Sequence, residues 1–201
     1  RKPMKKFDLK NRPAATSSRI AMSVTSTEDA PRYVGRVIEG LNATRATPDW
    51  IKERLRRSGL RSLGSIVDIT NFVMLELGQP LHAFDLRFVN QGIVVRHATR
   101  GESLALLDGT ELQLAPETMV IANQRGPIGL AGIMGGLESG VDSNTQGIFL
   151  ESAYFRPGSI ASSGRYHGLQ TDASYRFERG VDPTQQRRAV LRASELFQEI
   201  C

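Results

Sequence analysis

The hydrophobic period of this chain changes at Gly78 and Pro80, and that change constrains the fold more than any other feature. Before it, Ile66, Ile69, Phe72, Val73 and Leu77 recur at three- and four-residue spacing. That spacing predicts a helix over 65–77, with Gly78 at its left-handed end and Pro80 barring continuation. Beyond it, short apolar runs parted by glycine-rich turns predict strands in "GIVVRHA", "TMVIAN", "IGLAGIMGG" and "GIFLESAYF". In "LALLDGTELQL", Asp108-Gly109 stands between two apolar runs and predicts a hairpin. Upstream, "YVGRVIEGLN" reads as a strand, and Thr47 before Pro48 predicts the cap of a helix that carries Trp50, Ile51 and Leu55 and stops at Gly59. After Pro157 the pattern is irregular, with a short helix near 158–163 and a turn around Thr171 to Ser174. A last helix, capped by Asp182 and opened by Pro183, carries Val190, Ala193, Phe197 and Ile200. Helices at the ends with antiparallel strands between them predict one α+β domain, layered β-sandwich-like sheets with flanking helices.

Charge is distributed unevenly. The net +5 is carried by residues 1–19, where seven basic side chains stand against Asp8, so the rest of the chain is close to neutral. Residues 1–31 therefore read as a basic tail or linker and 32–201 as the domain. Two basic groups remain, around Lys52 to Arg61 and Arg176 to Arg192; solvated helix faces are the ordinary reading of each, a local nucleic-acid patch the functional one. No apolar run is long enough to span a membrane, and the first twenty residues, basic with no apolar stretch behind them, do not read as a secretory signal. Cys201 is the single cysteine, which excludes disulfides and cysteine-based metal sites and suits the cytoplasm.

Three segments hold candidate chemistry. "GPIGLAGIMGGLESG" lacks the Gly-Lys-Ser/Thr ending of a phosphate loop, so its glycines read as close backbone approach or a pocket floor of bare peptide. Glu151 interrupts an apolar strand: alternation can place it in solvent, but pointing inward it needs a hydrogen-bonding partner, and with none fixed inside it suits a ligand hydroxyl. His82 stands among apolar residues just past the bend, as a packed ring or as a group for chemistry near neutral pH. With only His82, His97 and His167, and no hydrolase elbow or zinc motif, no metal site is expected and any hydrolysis would use a bound water.

Together, "GLRSLGSIVDITNFVMLELGQPLHAFD", "VVRHATRGESLALLDGTELQL", "GIMGGLESGVDSNTQGIFLESAYF" and "SSGRYHGLQTDASYRFERGVDP" resemble, in unbroken order, the B3/B4 region of the bacterial-type phenylalanyl-tRNA synthetase beta subunit. The resemblance implies an editing domain that hydrolyses tyrosine wrongly attached to the phenylalanine tRNA. It implies His82 and Thr171 as catalytic, and Glu151, Ala173, Arg61, Gly132 and Gly135 as substrate-binding. It further implies the tRNA 3′ end, the rest of the beta subunit and the alpha subunit as partners. No cofactor is implied in this domain, since ATP and magnesium would serve the synthetic site on the alpha subunit. A non-catalytic module that holds the tRNA end or an amino acid, and a scaffold of the synthetase, are the alternatives.

Overall fold

The computed structural model describes residues 15–201. Its elements are β1 (Met22–Val24), β2 (Arg32–Glu39), α1 (Asp49–Arg57), α2 (Ser65–Leu77), β3 (His82–Asp85), α3 (Leu86–Val89), β4 (Ile93–His97), β5 (Ser103–Ala105), β6 (Glu111–Gln113), β7 (Met119–Ala122), β8 (Pro127–Leu130), β9 (Met134–Gly135), β10 (Gly147–Tyr154), α4 (Pro157–His167), α5 (Asp172–Phe177) and α6 (Gln186–Ile200).

The strands form two main sheets. One runs β1-β4-β7-β8-β9, the other β2-β10-β3, and β5 with β6 make the hairpin expected around Asp108-Gly109. Alternation along β10 decides how these layers stack, because successive side chains leave opposite faces. Phe149 and Ala153 enter a core shared with Val95, Ile121 and Leu130 of the five-stranded sheet. Ile148 and Leu150 enter a second core with Ile51 and Leu55 of α1, Ile69 and Val73 of α2, and Val190 and Phe197 of α6. The molecule is thus sheet on sheet with a helical layer outside, the expected α+β arrangement. Each buried Phe, Leu or Ile contributes about 1.5–3 kcal/mol by leaving water.

Local chemistry sets the loops that reach the site. Helix α2 ends in Gly78 with φ +70, as its sequence requires. Thr47 does not cap α1: Pro48 holds that place, while the Thr47 hydroxyl donates to Asp68 at 2.5 Å. The fully buried Asp68 also accepts from Ser62 and from the Leu63 amide, tying the 58–64 loop to the first turn of α2. Asp182 likewise closes a turn, with Gln185 N donating to its carbonyl, and α6 begins only at Gln186.

Part of the expected tail is folded. β1 pairs in parallel with β4, Ala30 is buried, and Asp29 binds His97 Nε2 at 3.0 Å and the Ser159 hydroxyl. Residues 1–14 of that expectation lie outside the described residues. Among the described residues no helix is long and apolar enough to cross a membrane, and no group of three or more His, Cys, Asp or Glu is placed to hold a metal ion.

Candidate functional site

β10 lies between β2 and β3, and its register puts Glu151 directly opposite His82 on one side and Gly35 on the other. All three face the space between the two sheets, so the acid expected either in solvent or inside is inside, and it is 7% exposed. It is not without a partner there: the Tyr33 hydroxyl donates to Glu151 Oε2 at 2.5 Å. Burial pushes the Glu151 carboxyl up to about 7, with the Tyr33 hydrogen bond opposing the rise. Tyr33 itself is held well above the usual phenol range, by burial first and then by the adjacent carboxylate.

His82 packs edge-on to Phe84 with ring centroids 4.4 Å apart. Its Nε2 is enclosed without a hydrogen-bond partner, and burial lowers the ring to about 4. The imidazole is therefore neutral at physiological pH. Gly135 makes room for it, since a Cβ there would lie 2.6 Å from Nε2. Gly132, at φ +69, adopts a conformation open to glycine, and a Cβ on it would meet Ile160 and Phe155.

These residues enclose a chamber of about 60 Å³, lined by His82, Glu151, Gly132, Gly135, Ala173 and neighbouring apolar groups. An outer cleft of about 380 Å³ shares His82, Gly135 and Ala173 with it and adds Thr171, Asp172 and Leu107. His82 and Ala173 stand where the two spaces meet. A larger cavity, about 830 Å³, is a separate depression lined by residues 39–43, 85–87 and 143–147, and it holds none of the candidate residues.

Two expected residues stand differently. Thr171 is the N-cap of α5, a helix where the sequence reads as a turn. Its hydroxyl accepts from the Ser174 amide and donates to the Ile133 carbonyl at 2.9 Å, fastening α5 to the turn between β8 and β9. Arg61 is exposed and lines neither chamber nor cleft; Leu63, two residues on, reaches the cleft in its stead. Sequence reasoning misses Tyr33, Thr70 and Asn71. The last two line the cleft from α2, and their signal is a polar pair inside an apolar helix.

The B3/4 domain family model matches residues 29–201, nearly the whole described chain. This chain belongs to the B3/4 domain family. As a B3/4 domain it is 56% identical over 179 residues to the phenylalanine–tRNA ligase beta subunit of Nitrosococcus oceani, covering 89% of this chain and 23% of that protein. It is 52% identical over 198 residues to the same subunit of Hahella chejuensis, covering 98% of this chain and 25% of the relative. The B3/4 domain thus spans about a quarter of the length of the curated relatives it matches. The crystal structure of an N-terminal fragment of the phenylalanyl-tRNA synthetase beta subunit from Pyrococcus horikoshii shares the fold, with a TM-score of 0.51 at 14% identity over 75% of this chain and 50% of that one.

Proposed function

We propose that this B3/4 domain is the editing domain of a cytoplasmic phenylalanine–tRNA ligase beta subunit, and that it hydrolyses tyrosine esterified to the phenylalanine tRNA. The observation that carries this reading is Glu151, a buried acid that lines, with His82, a mostly apolar chamber sharing residues with a wider cleft. A pocket shaped for phenylalanine rejects a molecule that only adds a hydroxyl by about a hundredfold. A second site that binds the hydroxyl selects in the opposite sense. Tyrosine donates to Glu151, whereas phenylalanine leaves a buried carboxylate oxygen bare, at a cost of about 1–3 kcal/mol. The narrow chamber takes the hydroxyl end of the ring. The wider cleft takes the α-carbon, the ester and the terminal ribose.

For hydrolysis, a water must be aimed at the ester carbonyl. His82, neutral and held near 4, is a weak base at pH 7; its part is to wall the junction and orient that water. Thr171 keeps one hydroxyl lone pair beyond its two structural bonds, enough to accept from the water. The backbone around Gly135, which lines both the chamber and the cleft, is the stretch suited to stabilise the developing oxyanion. Arg61, exposed two residues before the cleft residue Leu63, would meet a tRNA phosphate outside the cleft. The other subunit regions and the alpha subunit would present the tRNA.

The test is release of tyrosine and of phenylalanine from the phenylalanine tRNA, by this chain and by Glu151→Ala. Tyrosine should leave faster by about tenfold or more, and the ratio should fall toward one in the variant. A ratio preserved in the variant would remove Glu151 from selection; binding of both esters without release would favour a module that only holds the tRNA end.

A further inference from the structure

Glu151 reaches the chamber with one oxygen already occupied. In the register of β10 with β2, Ala153 lies opposite Tyr33 and Glu151 opposite Gly35, which sets Tyr33 diagonal to Glu151 on the same face. The ring of Phe149 fills the space that a Gly35 side chain would take, so that flank of the carboxylate is apolar. Tyr33 Oη donates to Oε2, and Oε1 accepts nothing from the described residues. Building on the editing reading above, we infer that Tyr33 is a specificity-determining positioning residue whose phenol pins Oε2 and thereby presents Oε1 to the substrate's hydroxyl.

Two phenols then share one carboxylate, one from the protein and one from the substrate. A pinned carboxylate needs no further ordering when tyrosine arrives. Nor can it swing aside to relieve a bare Oε1 when phenylalanine arrives. The Tyr33 bond also favours the ionised carboxylate against the burial that opposes it, so it sets the pH at which Glu151 becomes a full acceptor. His82 on β3 is the other titratable group lining the chamber, and it stays neutral above about pH 4; the β8–β9 turn and α5 present glycine and apolar side chains there.

Tyr33→Phe keeps the ring and removes the donor. Affinities for free tyrosine and free phenylalanine would be measured by calorimetry from about pH 5.5 to about 9. The unaltered protein should gain tyrosine preference through about pH 7, where Glu151 ionises. In a folded Tyr33→Phe protein the midpoint should rise by about 1–2 pH units, with phenylalanine affinity kept or increased. Replacing Tyr33 by a fluorinated tyrosine, a stronger donor of similar shape, should move the midpoint down, and it decides the matter if Tyr33→Phe does not fold. Equal loss of both affinities in folded Tyr33→Phe, or an unshifted midpoint in either protein, overturns the inference and leaves the editing reading standing. No tyrosine preference in the unaltered protein at any pH overturns both.

Discussion

Glu151 and His82 sit side by side on one sheet face, and burial shifts their titrations in opposite directions. Glu151 rises from 4.5 to about 7, so the folded protein holds a proton that the unfolded chain has lost; its contribution to stability falls as pH climbs from 4.5 to 7. His82 falls from 6.5 to about 4, so its contribution falls as pH drops through that window. Between about pH 4.5 and 6.5 the two slopes oppose each other. Glu151→Gln removes one of them. Relative to the unaltered protein, the variant should gain about 3 kcal/mol between pH 4.5 and pH 8, read from urea midpoints. A pH-independent difference would mean that Glu151 titrates normally. That an acid interrupts an apolar strand is legible in the sequence. Its partner is not, because Tyr33 lies 118 residues away and meets it only through the β2–β10 register.

Strand β9 and strand β3 approach each other across the chamber because Gly135 has no side chain to oppose the His82 ring. Gly135→Ala should destabilise by about 1–3 kcal/mol through overpacking. With His82→Ala in the same chain, the methyl has room, and the double variant should lose at least about 1 kcal/mol less than the sum of the single losses in a denaturant cycle. Strict additivity would place the ring away from Gly135. Helix α2 is read from sequence with its observed bounds, since five apolar residues keep one face and a glycine with φ +70 ends it. Helix α4 runs beyond the short piece expected, to His167, and α5 is hidden altogether. Both are polar and carry little apolar periodicity. The capping box of α5 uses Ser174 where Glu or Gln is the usual sign, so Thr171 reads as a turn residue and turns out to hold a helix in place.

The two sheets make the site jointly: the three-stranded sheet supplies His82 and Glu151, the five-stranded sheet supplies Gly129, Gly135 and the Gly132 turn, and α5 closes the side with Ala173. The α+β layering is legible because helical and strand periods occupy separate stretches of chain. The position of β1 is not, because a parallel pairing across some seventy residues leaves no local pattern in a polar, basic segment. Arg61 shows the same limit, since its motif is plain in the sequence while its distance from the chamber is set by how Asp68 ties the loop. In the proposed function these parts meet at one point, where the chamber reads a hydroxyl through Glu151. A crystal structure of the chain with bound tyrosine tests it most directly. The ring should pass between His82 and Ala173, with its oxygen about 2.5–3.0 Å from Glu151 Oε1. A tyrosine seated wholly in the outer cleft, its hydroxyl away from Glu151, would contradict the account.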